Sequence, residues 1–315
     1  MPLLKTEADK LSNNQLVAGI IEEIIERDDL FSVLPFSRVN SKAYVYIRED
    51  VGASNNITQG AGMPTFLDPN DTIVEGAVPF KEVTTRLRII AGDVDVDKFL
   101  QETESNDNDQ MAIQIGKKAK ALGRLYHDAL VNGDQTANAK QFDGVKRLTT
   151  NADSNANQTI NAGVNGAALT LGMLDQLLET VKNGADALIM RRGTIRAFRA
   201  LVRAAGGATA EEYALAKDFG RPMLTHNGVP ILVNDFLPAN ETLGSGTNLC
   251  SVYAVRLNEV DGLHGLYGGD AAGIRVEDIG TVQNKDAQRM RVKWYCGLAL
   301  KSTQSLARLQ GVTNV

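Results

Sequence analysis

Two cysteines, three histidines and one tryptophan in 315 residues leave little of the usual apparatus of chemistry. Cys250 and Cys296 lie far apart and form no CxxC pair, which excludes a zinc ribbon, a redox dithiol and a disulfide scaffold and points to a reducing compartment. None of His127, His226 and His264 sits in HExxH or has a second ligand-type residue at i+3 or i+4, so no zinc site can be nominated. His127 adjoins Asp128, but helical neighbours point about 100° apart and cannot act as an aligned pair. His226 precedes Asn227-Gly228, a type I′ hairpin signal, and reads as a strand-end residue. His264, in the glycine-broken run Gly262-Leu263-His264-Gly265-Leu266, reads as structural. GxxxxGK[ST] is absent, and the cluster from Gly268 to Gly273 lacks dinucleotide-fingerprint spacing and feeds a strand, so it reads as a turn. No apolar run approaches the ~18 residues of a membrane span, and the opening residues lack a basic segment followed by an apolar one.

What is present is ordinary for a folded soluble chain. Hydrophobic residues make up 43% and charged ones 23%, neither a disordered nor a collagenous composition. The 38 acids against 33 bases give a net charge of -5, so the surface as a whole is no nucleic-acid glove and a polyanion would meet a local patch. The acids Asp93, Asp95, Asp97, Glu102, Glu104, Asp107 and Asp109 lack the EF-hand pattern, and the expectation is that they serve a helix start.

Periodicity divides the chain. Leu16, Val17, Ile20, Ile21, Ile24 and Ile25 recur at helical spacing opposite Glu22, Glu23, Glu26 and Arg27, an amphipathic helix stopping at Asp28-Asp29. Residues 1–15 before it are too few to fold as a scaffolding domain, so a separate scaffold is expected. Residues 41–48 and 83–89 alternate with period two and bracket a stretch rich in glycine and proline with little to form a core. A loop that long in a compact chain is functional or packs on another chain, and residues 40–90 read as a two-stranded arm.

From Asn108 to Val131 apolar residues step by three or four up to the stop at Asn132-Gly133, predicting a helix of about 36 Å. Gly116 and Gly123 within it suggest close backbone packing on that face. Residues 151–157 are small and polar, an exposed loop. Helices over 171–182 and 194–205 flank a strand over 187–190. A hairpin over 222–233, strands over 249–255 and 274–279, and a closing β region follow. In that last region Met290, Val292 and Trp294 face inward, and the chain turns back after Gly297.

In this order the elements resemble the major capsid proteins of tailed double-stranded DNA bacteriophages, the Hong Kong 97-like fold shared with encapsulins. The parts that carry the resemblance are Tyr44-Val45-Tyr46-Ile47-Arg48-Glu49 opening the arm, the return from Arg88 to Val96 into a long helix, and the turn from Asp134 to Gly144. Leu188-Ile189-Met190 ahead of a helix, Gly228-Val229-Pro230-Ile231, and the closing pattern from Arg289 to Leu309 with Gln310-Gly311-Val312 complete it. It implies an α+β chain with a β-hairpin arm, a long spine helix, a peripheral domain and an axial domain. The implied divisions are an N-terminal arm and helix (1–30), an extended loop (31–92) and a peripheral domain with the spine helix (93–150). An axial domain (151–280) and peripheral closing strands (281–315) follow.

The implied function is a shell subunit forming hexamers and pentamers around double-stranded DNA, not an enzyme, with no cofactor and no membrane. Its partners would be itself, separate scaffold and portal proteins, a decoration protein in some shells, and packaged DNA contacted without sequence preference. Its place would be the virion, after assembly in the host cytoplasm. An encapsulin-like nanocompartment is the alternative. The candidate inter-subunit contacts are Lys42, Arg48, Arg86 and Arg88 on the arm, and Arg196, Arg199 and Arg203 on one helix face beside Arg191 and Arg192. That helix face also admits a nucleic-acid reading, ranked below an inter-subunit ion-pair role. An enzyme with an unseen site is the remaining rival.

Overall fold

The structure is a computed structural model and describes residues 26–49, 66–72, 80–103, 109–150, 158–204, 213–215, 222–269 and 273–315. The expected N-terminal helix, most of the arm's outer part and the loop at 151–157 lie outside these residues. Helix α1 (Leu30–Val33) leads into β1 (Phe36–Val39) and a hairpin of β2 (Ala43–Glu49) and β3 (Phe80–Arg86). Then come β4 (Arg88–Asp97), α2 (Lys98–Thr103), the long helix α3 (Gln110–Asn132) and α4 (Val145–Thr150). A second series runs β5 (Thr159–Asn161), α5 (Leu171–Thr180), β6 (Ala187–Met190), α6 (Arg192–Ala204), β7 (Tyr213–Leu215), β8 (Pro222–His226), β9 (Val229–Val233), β10 (Glu241–Leu243) and β11 (Gly246–Val255). The chain closes with β12 (Leu263–Gly268), β13 (Arg275–Thr281), β14 (Ala287–Leu300) and β15 (Leu306–Val312).

Strand β14 organises the first sheet. β4 pairs along one edge of it, β13 and β12 follow one another along the other, and β1 extends the sheet beyond β12. Its alternation puts Val292, Trp294, Cys296 and Leu298 on one face, where α3 contributes Leu122, Tyr126 and Leu130. The Tyr126 and Trp294 ring centroids are 4.2 Å apart. The second sheet, in the order β5-β15-β11-β6-β9-β8-β7 with β10 on β11, is covered by α5 and α6 through Leu174, Leu177, Ile195, Phe198 and Val202.

The second sheet also separates two cores. Leu188 and Met190 of β6 and Val252 and Ala254 of β11 face the α5–α6 layer, while Ile189, Tyr253 and Val255 face the core built on α3. Burial on both faces explains why Ala187-Leu188-Ile189-Met190 is a continuous apolar run with no alternation.

Several expectations hold at the residue. Asp109 caps α3, its Oδ1 accepting the Ala112 N–H at 3.1 Å. Asn227 (φ 49°) and Gly228 (φ 79°) make the left-handed pair of a type I′ turn between β8 and β9. Gly133 ends α3 for a different reason from a left-handed cap. Its φ is −55°, and a Cβ there would come 2.4 Å from the Phe142 carbonyl oxygen.

Other expectations are corrected. Asp93 and Asp95 do not start a helix, because β4 runs through them and β14 supplies cations opposite both, whereas Asp97 at the end of β4 does precede α2 and its Oδ1 accepts the Phe99 N–H at 2.9 Å. The alternating run at 83–89 is two strands, broken at Leu87, which leaves the hairpin for the first sheet. Phe36–Val39 already belongs to that sheet, so the paired arm begins at Ala43. Gly297 turns nothing: it sits in register opposite Leu266, and β14 continues to Leu300. After the turn β15 enters the second sheet between β5 and β11, so the end of the chain does not close the first sheet. At Gly116 and Gly123 a Cβ would meet no atom within 4 Å, so neither serves close packing within the described chain.

Candidate assembly surfaces

The arm leaves the body as a regular ladder from Ala43 opposite Arg86 to Glu49 opposite Phe80, closed at its root by Leu87 N–H donating to the Lys42 carbonyl at 3.2 Å. Alternation gives the hairpin two unlike faces. The face with Tyr44, Tyr46 and Arg48 lies on the end of β14. Tyr46 Oη donates to the Leu300 carbonyl at 2.7 Å and Arg48 Nε to the Lys301 carbonyl at 2.6 Å, with Arg48 Nη2 also donating to Leu300. Lys301 Nζ stands 5.6 Å from the Tyr44 ring centroid, and Tyr44 meets the His264 ring edge-on at 5.6 Å. Burial raises the Tyr46 hydroxyl pKa and lowers that of the fully buried His264, so both stay neutral at pH 7. The opposite face is bare: Val45 is 51% exposed, Ile47 72% and Phe80 73%.

The arm cations named from sequence therefore divide. Arg48 is engaged by its own subunit. Arg86 is exposed at the root, and Lys42 and Arg88 line one hollow of about 580 Å³ there with Arg38 and Tyr295. Arg88 Nε is buried without an acceptor.

The first sheet's other face, away from α3, carries a charge ladder set by register. Arg289 binds Asp95 bidentately at 2.6 and 2.7 Å, Arg291 binds Asp93 at 2.7 and 2.9 Å, and Lys293 meets Glu277 at 2.6 Å. The arginine hydrogen bonds hold both aspartates below the usual carboxylate range.

On α6 the sequence separates two faces. Ile195, Phe198 and Val202 are buried, while Arg196, Arg199 and Arg203 are exposed and have no carboxylate partner among the described residues. Arg192 continues the stripe but pairs with Asp235 at 2.7 Å. Arg191 turns inward to the carbonyls of Asp235 and Leu237. These arginines thus form a group of their own, apart from the arm.

One buried cluster escaped the sequence reading. Glu241 on β10 accepts both Arg308 Nη2 contacts, at 2.9 and 3.0 Å, and the Ser251 hydroxyl. Lys146 Nζ of α4 lies 2.9 Å from the same carboxylate, and Arg308 Nε donates to Ser251 at 3.0 Å. Desolvation pushes the Glu241 pKa up, but Arg308, Ser251 and Lys146 together outweigh it and leave the group below its ordinary value. Arg308 sits in an apolar-looking closing segment with no local sign of its partner, since β10 lies 67 residues away.

The histidines have structural partners the sequence did not name. His127 Nδ1 meets Asp28 Oδ2 at 2.7 Å, whereas the adjacent Asp128 accepts from Asn132. His226 does end β8, and its Nε2 lies 2.8 Å from Asp175 of α5. Among the described residues no group of histidine, cysteine and carboxylate side chains could hold a metal, and no helix is long and apolar enough to cross a membrane.

Comparison with known proteins adds the family. The model of the SU10 major capsid protein family matches residues 6–313. No curated protein matches the chain. Among solved structures, the holo-SrpI encapsulin complex from Synechococcus elongatus PCC 7942 is 21% identical with a TM-score of 0.69, covering 99% of this chain and 96% of that one. The capsid of the native GTA particle is 14% identical at 0.64, covering 96% of each chain. The capsid of Myoviridae phage XM1 is 12% identical at 0.65, covering 98% of this chain and 99% of that one. At such identities the likeness is one of fold.

Proposed function

The chain belongs to the SU10 major capsid protein family and has the Hong Kong 97-like fold, and from that premise we propose that its copies assemble as hexamers and pentamers into an icosahedral shell around double-stranded DNA. Its role is structural, and its place is the virion. The observation that carries the reading into the geometry is the two-faced arm. One face is hydrogen-bonded to its own subunit, while the other presents Val45, Ile47 and Phe80 to solvent, a surface that gains free energy when a neighbouring copy covers it. A shell needs several heterologous contacts from one chain, and an arm reaching beyond its own core supplies one.

In this reading Lys42, Arg86 and Arg88 at the arm's root meet a neighbouring subunit. Assembly takes place in the host cytoplasm with a separate scaffold, a portal and, on the finished shell, a decoration protein. Domains follow the two cores, with α3 and the first sheet peripheral and α5, α6 and the second sheet axial. The second reading, a nanocompartment, is favoured by the likeness to the SrpI encapsulin.

Electron microscopy of the protein expressed with its candidate scaffold tests both. Closed shells containing DNA support the capsid, and shells filled with a protein cargo support the nanocompartment. A protein that stays monomeric by light scattering under every assembly condition overturns both.

A further inference from the structure

We propose that the exposed arginine stripe of α6 is a contact for the phosphate backbone of the enclosed DNA, a proposal that rests on the shell reading. Arg196, Arg199 and Arg203 follow at i, i+3 and i+7, within about 60° of one another around the helix and over about 10 Å of its axis. Three like charges so placed repel one another, a cost that no acid among the described residues offsets. The contrast with four other arginines of the chain is what gives the stripe meaning. Arg256, Arg289, Arg291 and Arg192 each have a carboxylate at 3.0 Å or less, yet these three have none among the described residues.

The described residues of a second copy offer a poor counter-surface. The row of carboxylates that would match in spacing, Asp93, Asp95 and Asp97 on β4, is already occupied. Two of its members bind arginines, and Asp97 accepts the Phe99 N–H at 2.9 Å. Among the other exposed acids of the described residues, Glu82, Glu102, Glu179 and Glu259 stand singly on four separate segments, and the pair Asp68 and Asp71 offers two carboxylates, one already accepting the Asp68 N–H at 2.8 Å. Duplex DNA, in contrast, carries one charge per about 1.7 Å of axis, so a stripe of this length faces about six phosphates. Recognition of that kind reads charge and not base sequence, because among the described residues none of the three arginines has a hydrogen-bond partner that would orient it toward a base edge.

The test is the salt dependence of short duplex DNA binding to the full-length protein. Changing all three residues, Arg196→Gln, Arg199→Gln and Arg203→Gln, removes three phosphate contacts and should make the slope of log K against log salt shallower by about 2.7. Between about 50 and 200 mM salt the wild-type affinity should then fall about 40-fold more than the variant's. The corresponding triple lysine variant keeps the charges and should keep the wild-type slope. A control variant carrying Lys117→Gln, Lys140→Gln and Lys182→Gln, exposed cations spread over the surface, should change the slope far less.

The proposal is overturned if the glutamine variant keeps the wild-type slope, if the control shifts it equally, or if the lysine variant loses it. It is also overturned if the glutamine variant, folded by circular dichroism, binds DNA as before but no longer forms capsomers, which would place a second copy on the stripe. Shells that form normally around an unchanged slope defeat this inference alone and leave the shell reading standing.

Discussion

At the scale of the residue, the buried Glu241 cluster is where charge and fold are most tightly coupled. A carboxylate shared by Arg308, Lys146 and Ser251 has lost its water and regained it as four protein contacts. Glu241→Gln keeps the shape but leaves the buried guanidinium of Arg308 without its counter-charge, and should cost about 3–5 kcal/mol at neutral pH. The pH dependence has a definite sign. The folded pKa lies below the ordinary 4.5, so the unfolded state takes up the proton first. The contribution is complete above that value and disappears as pH falls through the lower folded pKa. Urea melts from pH 7 to pH 3 should show the wild type losing its advantage over the variant below about pH 4.5, and parallel curves throughout would contradict this. Asp93 and Asp95 titrate in the same direction in both proteins, so only the difference between the curves reports on Glu241. Nothing around Arg308 announces the cluster in sequence, since its partners come from three distant segments.

At the scale of the element, local codes are the ones that can be read from sequence. The Asn227-Gly228 turn, the Asp109 cap and the alternation of 289–294 each act within a few residues, and each appears where its chemistry requires. What stayed hidden depends on distant partners. β4 is a strand through its acids only because Arg289 and Arg291 lie opposite, and Gly297 stays in β14 only because β12 pairs with it.

The arm's root is a case of the second kind. Alternation places Tyr44, Tyr46 and Arg48 on one face but cannot say that Leu300 and Lys301 receive them. Because the hairpin has few other contacts with the body, these bonds set its direction. Arg48→Met should loosen the root by about 1–2 kcal/mol. Amides in Ala43–Glu49 and Phe80–Arg86 should then exchange with deuterium about 5–30 times faster, while those of β14 and β11 keep their protection. Arg48→Lys, which keeps the charge but only one donor nitrogen in place of the guanidinium's Nε and Nη2, should fall between. Unchanged exchange in both strands would show that the backbone ladder alone holds the arm.

At the scale of the whole molecule, the second sheet is a common wall, so neither core can lose its partner strands without exposing the other. The subunit is therefore built to stay intact while its arm and surfaces engage neighbours, and cohesion between subunits must come from contacts outside those cores. Some shells of this fold reinforce such contacts with a lysine to asparagine isopeptide bond, in which an arm's amine attacks a neighbour's side-chain amide and ammonia leaves. This arm lacks the nucleophile: residues 50–79 contain no lysine, Lys42 sits at the root, and Lys81 is held in the hydrogen-bonded ladder opposite Arg48. Their amines cannot travel with the tip. Apolar burial and ion pairs must then hold the shell, and denaturant undoes both. Mature particles boiled in detergent should run as single chains near 34.0 kDa. A ladder of covalent pentamers and hexamers on the same gel would mean that a lysine outside the arm reaches a neighbour's asparagine, and that the covalent route does not depend on the arm at all.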